Sequence, residues 1–186
     1  MNFRFDTAKA TEVACLFLEK AGGQLNIMKL VKLVYLLDRL SLDRRGMPVV
    51  GGAYFSLPNG PITSELLDLI NAGCLRDNPD RSWEECISDR QDHNVQLKRM
   101  PPRERVSDAE VELIEQIWAE HGGKNQWQLA EWCHHNCPEW TRVESSRVPI
   151  TVEGIAEALR KGPEAIKRLQ QEAAELNRLS EIFGEA

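Results

Sequence analysis

A mainly α, α+β fold is what the sequence predicts: a compact helical domain with a small antiparallel β element and helices at its C-terminal end. Two observations carry that prediction. Apolar residues recur at three- and four-residue steps through most of the chain, punctuated by Gly and Pro at helix-like intervals. Runs of β-branched and aromatic residues are short and interrupted by glycine. At 186 residues, 42% apolar and 28% charged, the chain can bury a core without metal or disulfide support. The expected organisation is one domain over residues 1–145 and a helical extension over 146–186.

The elements follow in order. Ala10, Val13, Ala14, Phe17 and Leu18 make one face of a first helix from Thr7 to Ala21, closed by Gly22-Gly23. Asn26 can cap a second helix, in which Ile27, Leu30, Val31, Leu33, Val34, Leu36, Leu37 and Leu40 cover so much circumference that it must be largely buried. Gly46 and Pro48 end it and lead into a short strand or extended segment, Val49 to Phe55. Asn59-Gly60-Pro61 reads as a turn, with Pro61 opening a third helix that stops at Gly73.

Residues Arg76 to Arg105 are polar and read as a loop, with Val95-Gln96-Leu97 in an edge hairpin. Ser107 and Glu110 form a capping box for a helix buried through Val111, Ile114, Ile117 and Trp118, ending at Gly122-Gly123. A helix from Gln126 to Asn136 presents Trp127, Leu129, Ala130 and Cys133, and Pro138 follows it. Thr151 or its neighbourhood caps the next, and the last runs from Pro163 to about Ile182. Its stripe of Ile166, Leu169, Ala173, Leu176 and Leu179 is narrow, suited to covering a groove or to meeting a partner.

Composition bounds the function. Net charge is −6, against the basic face that docking on phosphates requires, and argues against DNA as a partner. Residues 1–50 nevertheless carry eight Lys/Arg against five Asp/Glu, and Lys29, Lys32, Arg39, Arg44 and Arg45 keep open the alternative of a DNA-binding regulator working through the basic N-terminal half. The first residues, Met1 to Asp6, carry no signal-peptide pattern, and no window suits a membrane span. Five irregularly spaced cysteines fit reduced thiols, so a cytoplasmic location is expected.

Catalytic constellations are missing. There is no glycine-rich nucleotide loop and no spaced carboxylate pair. Cys133-His134-His135-Asn136-Cys137 has zinc-ligand residue types at helical spacing, but no second cluster completes four ligands. No metal and no cofactor is therefore expected, and no enzymatic activity.

The residues from Lys29 to Asp38, followed by Gly46-Met47-Pro48, Tyr54-Phe55 and Asn59-Gly60-Pro61-Ile62, resemble the signature of the Panacea domain, the SocA-like antitoxin family also met in phage-associated proteins. Leu129 to His134 and Pro138-Glu139-Trp140 resemble its second motif, with Cys133 in place of a small polar residue and Glu139 inserted between Pro138 and Trp140. The likeness spans roughly Thr7 to Trp140. It implies an antitoxin that neutralises a cognate protein toxin, encoded by an adjacent gene, by direct binding, some members delivering the toxin to a protease. It also implies a partner-binding group around the Gly60-Pro61 turn: Asp38, Tyr54, Asn59, Gly60, Pro61, His134 and Trp140.

Overall fold

Helix α2 (Ile27–Arg45) is the element on which the others are assembled. The computed structural model describes residues 3–75 and 79–183. Among these, α1 (Thr7–Lys20), α3 (Ser64–Ala72), α4 (Ser82–Cys86), α5 (Asp108–His121), α6 (Gln126–Asn136), α7 (Val152–Ala158) and α8 (Pro163–Phe183) complete the helices. The strands are β1 (Gln24–Asn26), β2 (Tyr54–Leu57), β3 (Gly60–Thr63), β4 (Asn94–Gln96) and β5 (Val148–Ile150). Among the described residues, no helix is long and apolar enough to cross a membrane.

The Asn26 side chain accepts from the Lys29 amide at the start of α2, and Gly46 ends the helix in a left-handed conformation. Between them, Leu30, Leu33, Val34, Tyr35 and Leu37 have no exposed surface. Helices α1, α3, α5, α6 and α7 and strands β1 and β3 all pack against α2. Leu25 and Val95 face each other where β1 pairs antiparallel with β4, and a second antiparallel sheet has the order β3-β2-β5.

Three sequence expectations change, each for a physical reason. Pro61 does not open a helix: it is the second residue of β3, opposite Ser56, and α3 begins at Ser64. Proline fits there because β3 pairs on one side only, so a missing ladder donor costs little. The extended segment does not run from Val49: the ladder starts at Tyr54, because the amides of Val49, Val50 and Gly51 donate to the Asp38 carboxylate instead. The expected edge hairpin is present, with Ile87 bridging Leu97 and Gln91 bridging Asn94, and Val95 pairs in addition with the distant β1. Trp127 is 62% exposed rather than inward.

Helix α4 lies in the stretch read as loop, and strand β5 falls just ahead of Thr151, where no element was expected. Arg76, Asp77 and Asn78 of the polar loop lie outside the described residues, as do Met1, Asn2 and the last three positions. The capping box is present: Ser107 Oγ accepts from the Glu110 amide while Glu110 Oε2 accepts from the Ser107 amide at 2.9 Å.

Asp38 ties α2 to the loop before β2. Its carboxylate accepts from the Val49 and Val50 amides at 2.8 Å, the Gly51 amide at 3.1 Å and the Tyr54 hydroxyl at 2.8 Å. Burial raises its pKa to about 6, with the four donors opposing that rise. Gly51 allows the loop to close: at φ +76°, a Cβ there would stand 2.6 Å from the Arg4 carbonyl oxygen.

Ile150, Val152, Ile155, Leu169 and Ala173 belong to the same core cluster as α2, whereas Leu176 and Leu179 are 41% and 49% exposed. Two predictions follow from this packing. An Asp38→Asn variant leaves at least one of four buried donors facing an amide, and should lose about 2–4 kcal/mol in chemical denaturation. Truncation after residue 174 should retain the melting temperature within a few degrees, whereas removal of Pro163 to Ala186 should lower it sharply by uncovering the core beneath Leu169 and Ala173.

Candidate partner-binding pocket

The β2–β3 hairpin is closed by Pro58 and Asn59 alone, and its tip stands beside the first turns of α2 and α6. The space between them is a pocket of about 510 Å³, within the range of ligand-sized sites. Its walls are mainly apolar, from Ile27, Val31, Leu57, Ile62 and Leu67. Asn59 and the exposed Trp127 also line it, as do Arg90 and His93 from the segment before β4.

Lys32 contributes to the same lining although its side chain belongs to the core. It is 1% exposed, and among the described residues no carboxylate pairs with it, its electrostatic neighbours being the Cys133 and Cys137 thiols. Gly60 makes room for it: at φ +114°, a Cβ there would lie 3.2 Å from both Lys32 Cε and Nζ. Burial lowers the pKa of Lys32 to about 8, a shift opposed by the neighbouring Cys133 and Cys137. The group therefore remains mostly cationic at neutral pH in a setting that disfavours charge.

The second motif is fastened to this hairpin and to α2. Glu139 Oε1 accepts from the Tyr35 hydroxyl at 2.6 Å and from Arg39 Nε at 2.7 Å, with its side chain only 1% exposed. Trp140 Nε1 donates to the Leu57 carbonyl at 2.9 Å, and the Thr141 amide donates to Ser56 Oγ at 3.0 Å. The His134 ring stacks on Trp140 with centroids 4.1 Å apart. Burial lowers the pKa of His134, which favours its neutral form, and its Nε2 is buried without a hydrogen-bond partner.

The zinc-like quartet does not converge. A hydrogen bond between the Cys133 and Cys137 thiols lowers the pKa of the first and raises that of the second, while His135 turns to Glu131. Among the described residues, no group of three or more His, Cys, Asp or Glu side chains could hold a metal ion.

Of the partner-binding group expected from the sequence, only Asn59 lines the pocket. Asp38 and Tyr54 are in the interior, Gly60 and Pro61 are buried in β3, and His134 and Trp140 brace the hairpin outside the pocket lining. Sequence reading missed Arg90 and His93, and placed Lys32 on a basic face and Trp127 in an apolar helix pattern rather than at this pocket. A signal for Lys32 was available: in a helix apolar on most of its circumference, a lysine between Val31 and Leu33 has little outside to occupy. The basic face of α2 is likewise engaged within the chain. Lys29 donates to the Gly122 carbonyl and lies over the Trp118 ring, Arg39 pairs with Glu139, and Arg45 pairs with Glu110.

An uncompensated buried cation costs stability, which predicts an inverse effect of its removal. The folded chain holds the Lys32 proton less tightly than the unfolded chain, so stability should rise as pH increases from about 8 towards the ordinary lysine value of 10.5. Lys32→Met should be more stable than the natural chain at pH 7 by about 2–3 kcal/mol in urea denaturation, with the difference shrinking by pH 10.

Comparison with known proteins agrees with the motifs. Residues 30–141 match the family model described as Antitoxin SocA-like, Panacea domain, a span that contains most of α2, the hairpin and the second motif. No curated protein and no solved structure matches the chain. With more than half of its length covered by that match, the chain belongs to the SocA-like, Panacea-domain antitoxin family.

Proposed function

We propose that this protein is the antitoxin of a toxin–antitoxin pair, and that it neutralises the product of an adjacent gene by binding it directly through the face around the Asn59 hairpin. Family membership supports a toxin–antitoxin role in general and suggests a non-enzymatic one. The observation that carries the binding reading is Trp127. A tryptophan 62% exposed beside a largely apolar pocket is the kind of anchor that contributes most at protein interfaces. The hairpin is held from behind by Trp140, which Glu139 beside it ties to the middle of α2, so the face is organised before a partner arrives.

Trp127 sits at the second position of α6, clear of the core, so Trp127→Ala should fold normally. Co-expression of the natural chain with the neighbouring gene should restore growth. Trp127→Ala should weaken the complex by about 30-fold or more and reduce the rescue. Equal rescue and equal affinity would contradict binding through this face. Immunoblotting of the toxin in the same cells separates two modes: an unchanged level means neutralisation by occlusion, and a falling level means delivery to a protease.

A further inference from the structure

Wherever the pocket beside Trp127 carries charge, the charge is positive. Its charged and titratable lining residues are Lys32, Arg90 and His93, with no Asp or Glu, in a chain holding 29 acidic residues against 23 Lys and Arg. Two helices also begin there. Asn26, Ile27 and Met28 start α2 and Gln126 and Trp127 start α6, and helix starts present partial positive charge. Arg90 already donates to the Asn71 side chain and the Asp92 carbonyl. Among the described residues no carboxylate pairs with Lys32, whose electrostatic neighbours are the Cys133 and Cys137 thiols.

The walls decide what kind of anion suits it. Phosphate recognition draws on several converging donors, commonly Arg forks. Here one lysine lines a pocket walled by Ile27, Val31, Leu57 and Ile62, with its ammonium beside Gly60 and near the Cys133 and Cys137 thiols, which suits a single carboxylate on an otherwise apolar segment. We propose that this pocket receives an acidic side chain, flanked by apolar residues, from the protein partner, with Lys32 as its counter-ion and Trp127 covering the flank. The proposal rests on the direct-binding reading above. The uncompensated charge at Lys32 is then a property of the free antitoxin that complex formation relieves.

Titration calorimetry of the full chain with the purified product of the adjacent gene tests this. Lys32→Met should weaken binding about 30-fold or more while melting as a folded protein. Among Asp→Asn and Glu→Gln variants of the partner, one should lose a similar factor and show little further loss when combined with Lys32→Met. Gln126→Glu, which suits the first turn of α6 but puts a negative charge in the pocket, should also weaken binding, and reads the same claim without altering the core. Lys32→Met and Gln126→Glu both binding within twofold of the natural chain would overturn the proposal and leave direct binding standing. So would a loss at Lys32 with no coupled partner carboxylate. Failure of the natural chain to bind would remove both readings.

Discussion

Helix α2 is surrounded along most of its length, and every buried polar group it carries must be satisfied inside the protein or cost stability. That constraint accounts for much of the surrounding architecture. Asp38 is satisfied by drawing in three backbone amides and the Tyr54 hydroxyl, which shapes the loop before β2. Tyr35 and Arg39 are satisfied together by Glu139, which fixes the segment after α6. The same device recurs on α1, where Glu12 accepts from the amides of Glu104, Arg105 and Val106 just ahead of α5. Carboxylates on buried helices thus hold the connecting loops, in place of long ladders between strands.

Lys32 departs from this pattern on the same helix. Natural cores seldom keep a charge without compensation unless it serves something beyond folding. Its position is also not accidental in packing terms, since Gly60 leaves the space that a side chain would otherwise fill. The hairpin carrying Gly60 is in turn held by Trp140 through the Leu57 carbonyl and by Thr141 through Ser56. The two sequence motifs therefore meet in space: the first supplies the pocket floor and hairpin, and the second braces the hairpin from outside the pocket.

Much of the helical fold was legible from local chemistry. The caps at Asn26, Ser107 and Thr151, the glycine stops and the buried stripe of α2 depend on residues within one or two turns of each other, so periodicity and capping reveal them. What sequence reading missed depends on distant partners. Strand β1 exists because Val95 returns to pair with Leu25, and Val49 and Val50 stay out of the ladder because Asp38 takes their amides. Pro61 has the chemistry of a helix start, yet sits in an edge strand packed under α2 and α6. Of the expected partner-binding group, the candidate site was legible only at Asn59, while Lys32 and Trp127 were read in other roles. Trp127 and Leu129 are both apolar residues near the start of one short helix, and only tertiary packing distinguishes the exposed one from the buried one.

The account joins a buried scaffold to a pre-formed pocket that a partner fills, and hydrogen–deuterium exchange on the purified complex tests that connection most directly. Relative to the free chain, the account predicts new protection at the hairpin tip around residues 57–60, at the start of α6, and in the segment around Arg90 and His93, with α2 protected in both states. Protection confined to α8, with those three segments exchanging as in the free chain, would contradict it.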